Sequence, residues 1–127
     1  MDTTFQCHDE GATPPGGTVY VAQVPTGIIA KDVLLRTLSQ QLSVPEYFGV
    51  NWDALDECLS DLSWIEVDDV CLWHEDLPLV NIPKEANAYL RVLRHVLDEP
   101  GQKTLQISFP KSVRATIDSI LSSSVHR

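Results

Sequence analysis

Asn51-Trp52-Asp53-Ala54-Leu55-Asp56-Glu57-Cys58-Leu59-Ser60-Asp61-Leu62 is the stretch on which the reading of this chain turns. Wound at about 100° per residue, it places Trp52, Leu55, Cys58, Leu59 and Leu62 within about 120° of one another. Asp53, Asp56, Glu57 and Asp61 fall on the other side, with Ser60. This predicts a helix with one face packed into a domain, opened by Asn51 as N-cap. The other face is a ridge of four carboxylates. Asp53/Asp56, Asp53/Glu57 and Glu57/Asp61 are like-charge neighbours at i,i+3 or i,i+4, each unfavourable by a few tenths of a kcal/mol. The helix N-terminus offsets this for Asp53 alone. A solvated face is the ordinary fate of helical acids, but such a face normally mixes Glu with Lys, and this one holds no base. A cationic partner accounts for the pattern.

Moving outward, the charge is uneven. The chain of 127 residues carries a net charge of −9. Residues 37–83 hold ten acids and no Lys or Arg, whereas residues 84–127 hold four acids and seven bases. The acidic field therefore comes from the region around the ridge. A surface of that sign repels phosphate backbones and anionic lipid, so neither nucleic acid nor membrane is expected as a direct partner. A basic protein is the natural counterpart.

On the N-terminal side, Pro45-Glu46-Tyr47-Phe48-Gly49-Val50 reads as a rigid loop, with Phe48 expected in the core and Tyr47 partly exposed. Before it, Lys31 to Leu42 has apolar residues at Val33/Leu34, Leu38 and Leu42, a helical period, and Thr18 to Val24 reads as a strand. Residues 1–16 read as an arm with weak structure of its own, its Gly/Pro/Thr-rich part a loop. On the C-terminal side, Val67 to His74 holds the apolar run Val70-Cys71-Leu72-Trp73 of a central strand. Pro83 to Glu99 is a helix with Pro83 in its first turn and Pro100-Gly101 after it. Thr104 to Phe109 is a strand, and Lys111 to Ser122 a last helix with Val113, Ile117 and Ile120/Leu121 inward.

The order β-α-α-β-α-β plus a C-terminal helix predicts an α/β domain with a three-stranded parallel sheet, since strands separated by helices pair in parallel through right-handed crossovers. The expected division is an arm at 1–16, a domain at 17–109, and an additional helix and tail at 110–127. Apolar residues at 43% are ordinary for a globular protein. No apolar run approaches a membrane span and no signal peptide is visible. The three cysteines show no zinc-type spacing, and Cys58 and Cys71 read as buried free thiols in a reducing cytoplasm.

Pro45-Glu46-Tyr47-Phe48-Gly49-x-Asn51-x-Asp53-Ala54-Leu55-x-x-Cys58-Leu59 resembles the signature of the barstar family of ribonuclease inhibitors. The match is dense over residues 44–64, and the element order extends it to 17–109. The resemblance implies a three-stranded parallel sheet with helices, no enzymatic activity and no cofactor. It also implies a loop and second helix that enter the active site of a bacterial ribonuclease. Carried over by position, Tyr47, Asn51, Asp53 and Glu57 lie on the inhibitory face, with Asp53 and Glu57 in place of substrate phosphates. A ribonuclease holds phosphates with Arg and Lys, and carboxylates accept bidentate Arg bonds in similar geometry.

The ridge adds Asp56 and Asp61 to that set. At Asp56 the best-known member has a Trp, at Glu57 an Asp, at Asp61 a Gly. An acidic contact from the following helix is replaced here by Arg91-Val92-Leu93-Arg94-His95. These departures point to a diverged inhibitor of another basic ribonuclease or toxin nuclease, cytoplasmic, monomeric when free, and paired with its toxin as an immunity protein or antitoxin. Two rivals remain. One is an acidic interaction module for another basic protein, an adaptor or nucleic-acid mimic. The other is an enzyme, with a divalent cation on Asp53, Asp56 and Glu57 or a site at His74-Glu75-Asp76. The carboxylates project from one convex helix, and a loop histidine beside acids is expected to be solvated, so neither enzyme reading is favoured. His8, His95 and His126 show no evident partners in sequence.

Overall fold

A computed structural model describes residues 5–45, 49 and 51–123. Its strands are β1 (Gln6–His8), β2 (Val19–Val24), β3 (Asp69–His74) and β4 (Thr104–Pro110). Its helices are α1 (Lys31–Gln41), α2 (Trp52–Asp61), α3 (Pro83–Asp98) and α4 (Arg114–Ser123), with a 3₁₀ turn over Lys111–Val113 before α4. The four strands form one sheet in the order β1-β4-β3-β2, all parallel.

The expected sheet had three strands; this one has four. The addition comes from the N-terminal segment read as an unstructured arm. Gln6, Cys7 and His8 lie opposite Ser108, Phe109 and Pro110. Three residues carry too short a pattern to announce a strand, and the edge of β4 supplies what they lack, a row of backbone partners. Phe5 sets its ring edge-on against Phe109 at 5.3 Å between centroids.

The step from β2 to β3 to β4 always runs the same way across the sheet. Right-handed crossovers then place every intervening helix on one face. That face carries Ala22, Val24, Val70, Leu72, Ile107 and Phe109, which join Leu34, Leu38, Leu55, Leu59, Leu90 and Leu93 of the helices in one buried cluster. Each fully buried Leu is worth about 1.5–3 kcal/mol. On α4, Ile117 is buried while Val113, Ile120 and Leu121 are half-buried around it. Among the described residues no helix is long and apolar enough to cross a membrane.

His74 ends the strand as the sequence read it, but it departs from the expectation of a solvated histidine beside acids. It is the last residue of β3 and is fully buried. Its Nδ1 lies 3.0 Å from the Ser108 carbonyl oxygen and its Nε2 2.7 Å from the Tyr89 hydroxyl. A carbonyl only accepts, so the proton sits on Nδ1, and Nε2 accepts from Tyr89. One tautomer satisfies both bonds. Burial drives the imidazole pKa down to about 3, so the ring is neutral in the fold. The polar trio His-Glu-Asp misled because a Tyr in the stripe of α3, 15 positions away, supplies the partner.

Candidate functional site

The acidic face is built on α2. Asn51 is extended, and its side-chain oxygen accepts from the backbone N–H of Asp53 at 2.8 Å and of Ala54 at 3.3 Å. The helix therefore starts where the sequence placed its cap. Gly49, just before it, has φ +85°, a left-handed conformation that suits glycine. The helix ends at Leu62, whose φ of 52° is left-handed too and is held by complete burial. Leu55, Leu59 and Leu62 are buried, and Cys58 and Trp52 half-buried, as the helical wheel requires.

Asp53, Glu57 and Asp61 are exposed, one helical turn apart on a line. Four residues advance a helix by about 6 Å, so the three carboxylates form a ladder. Among the described residues none of the three makes an ion pair. Their field reaches inward: burial first, and then the charge of Asp61, push the Cys58 thiol up to about 11. The thiol is therefore protonated at neutral pH.

Asp56 does not stand on that ladder in the same way. Its side chain is 27% exposed and turned toward α3, where Oδ2 lies 2.9 Å from Nδ1 of His95. Nε2 of the same ring leans toward Glu99 at 3.7 Å. The expectation of a ridge without any base is thus corrected at this one position. His95, which the sequence left without a partner, bridges the two helices. Thirty-nine positions separate it from Asp56, and no local pattern reports such a pair.

Two further contacts fix α2 against α3. Trp52 Nε1 donates to Glu85 Oε1 at 3.1 Å, and its ring packs 5.9 Å from that of Tyr89, with the Lys31 ammonium 5.1 Å from the Trp52 ring centroid. At the other end, a Cβ on Gly101 would sit 1.8 Å from the Ser60 carbonyl oxygen. The turn after α3 thus runs directly against the backbone of α2, and only glycine permits it. Gly101→Ala is expected to lower stability by about 1–3 kcal/mol, as overpacking does. A urea titration checks this; an unchanged midpoint would mean that the turn yields freely.

Of the residues singled out from sequence, Asn51, Asp53, Asp56, Glu57 and Asp61 lie along this one helix. Tyr47 and Phe48 lie outside the described residues, as does His126. Among the described residues no three His, Cys, Asp or Glu side chains gather as a metal site would need. His8 also has partners: its ring stacks on Trp73 with centroids 3.7 Å apart, and Nδ1 is 2.6 Å from Ser108 Oγ.

A family model described as Barstar (barnase inhibitor) matches residues 21–110. The chain belongs to the barstar family. The match spans β2 through β4 and contains the whole of α2; β1 and α4 lie outside it. No solved structure is a significant match to the chain. The family's description as a barnase inhibitor makes a ribonuclease the general class of partner. In this barstar-family chain, Asp53, Glu57 and Asp61 stand exposed on α2, inside the matched region.

Proposed function

We propose that this protein is a cytoplasmic, non-enzymatic inhibitor that blocks the active site of a bacterial toxin ribonuclease, as an immunity protein does. The acidic surface made by the segment before α2 and by α2 itself enters the cleft. Asp53, Glu57 and Asp61 take the place of substrate phosphates against Arg and Lys, while Asn51 holds the helix start and Asp56 flanks the contact. Tyr47 belongs to the same face by its position in the family signature.

The observation that carries this reading is the exposed ladder of Asp53, Glu57 and Asp61, without an ion pair among the described residues, on a helix inside the family match. Like charges held in line cost stability in the free protein, and a cationic cleft reverses that sign. A negative ridge opposite a positive cleft also steers association.

The test is protection of RNA. The protein is incubated with barnase-like ribonucleases and with the product of the neighbouring reading frame, and RNA survival is read on a gel. The expected result is stoichiometric protection against at least one of them. No protection against any would overturn the ribonuclease target and move the weight to another basic protein.

A further inference from the structure

The connection between β1 and β2 runs against the direction of every other crossover. β1 and β2 occupy opposite edges of the sheet, and the chain between them moves back across β4 and β3. All four strands are parallel. A right-handed connection in the reverse direction must pass over the other face, the one without helices. Its length fits. His8 is level with Pro110, and Val19 is level with Asp69 and Thr104. The path crosses three inter-strand gaps of about 4.8 Å and six residues of strand at about 3.3 Å, a diagonal of about 25 Å. The residues 9–18 reach at most about 35 Å when extended, so little slack remains after the turn in which Ala12 N–H donates to the Asp9 carbonyl.

Burial on that face agrees. Cys71, Trp73 and Ser108 point away from the helices, and none belongs to the main core cluster. Their exposures are nevertheless only 2%, 6% and 4%. His8 covers Trp73 by stacking and reaches Ser108 Oγ. Two polar contacts fasten the start of the connection to the turn after β4. Lys111 Nζ is 2.8 Å from Asp9 Oδ1, and Ser112 Oγ donates to Glu10 Oε2 at 2.7 Å. The Lys111 ammonium holds the Asp9 carboxyl below the usual carboxylate value. Beyond these points, Gly11-Ala12-Thr13-Pro14-Pro15-Gly16-Gly17 is exposed except for a half-buried Pro14, and it contributes few apolar contacts.

We propose that residues 9–18 are a strap closed over the helix-free face of the sheet, latched at His8, Asp9 and Glu10, and able to open without unfolding the helical side. Opening bares Trp73 and Cys71, and release of β1 frees the edge of β4. The latch joins the face to solvent-exposed polar contacts, and a segment held by so few apolar neighbours opens at a small fraction of the global free energy. The strap lies outside the family match.

Cys71 reports the state of the strap. A pulse of iodoacetamide on the intact protein, followed by peptide mass spectrometry, reads alkylation at Cys71 and at Cys58, whose cover comes from the helical side. In the variant His8→Ala/Lys111→Ala/Ser112→Ala, Cys71 is expected to react about tenfold faster, with Cys58 unchanged. Unchanged Cys71 labelling, or Cys58 rising in parallel, would overturn the proposal. The wild-type protein supplies a second reading. Cys71 labelling through strap opening varies little with low urea, whereas labelling that follows the urea dependence of global unfolding would show that the strap does not open by itself.

Discussion

Reversing the charge of Asp53 and Glu57 together, to Lys, is expected to abolish protection of RNA against the ribonuclease that the wild-type protein blocks. Each carboxylate that meets an Arg or Lys in a closed cleft leaves that cation buried and unpaired when it is removed, at about 3–5 kcal/mol per pair. Two such losses, with repulsion in place of attraction, raise Kd by well over about a thousandfold. Folding moves the other way. Both residues are exposed and make no ion pair among the described residues, and the change relieves like-charge contacts worth a few tenths of a kcal/mol each. A variant that melts at or above the wild-type temperature yet protects nothing is the expected outcome, read by circular dichroism beside the RNA gel. A double variant that still protects would remove the acidic ladder from the interface. Added salt gives a milder version of the same test, because screening slows steered association more than it speeds dissociation.

Asp56 sharpens the comparison. On a helical wheel it is equivalent to its neighbours, and the sequence alone ranked it with them. The fold turns it toward His95 and leaves it 27% exposed. Asp56→Lys is therefore a different experiment from Asp53→Lys, since it sets a base against the imidazole and disturbs the contact between α2 and α3.

What was legible in the sequence follows from range. The start and end of α2 are local events: an Asn side chain bonds to amides two and three residues on, and an apolar stripe repeats every turn. The helices and the three main strands announce themselves in the same way. The missed features are the ones decided by partners far along the chain. β1 exists because β4 offers an edge 102 positions later, and Asp56 meets its base 39 positions away. Gly101, read as a helix stop, also sits against the backbone of α2 at Ser60.

His74 is the deepest of these, and its burial has a measurable consequence. Above about pH 6.5 the imidazole is neutral in the folded and unfolded chain alike, and it adds no pH dependence. Below that, the unfolded chain takes up a proton, while the folded chain refuses it until about pH 3. The unfolded state then binds more protons, so stability falls with falling pH throughout that window, by up to about 1.4 kcal/mol per unit. His74→Gln keeps an amide donor and acceptor but cannot titrate. Between about pH 7 and about pH 4.5, the wild type is expected to lose roughly 2–3 kcal/mol more than this variant in urea titrations. Carboxylates contribute equally to both and drop out of the difference. Equal losses would mean that the ring is protonated within the fold. The joint also bears on the acidic face. His74 accepts from Tyr89, and the Tyr89 ring lies 5.9 Å from that of Trp52, the first residue of α2. Because acid favours the proton-binding unfolded chain and does not protonate His74 within the fold, protection of RNA by the wild type should fail through unfolding, and sooner as pH falls than protection by the glutamine variant.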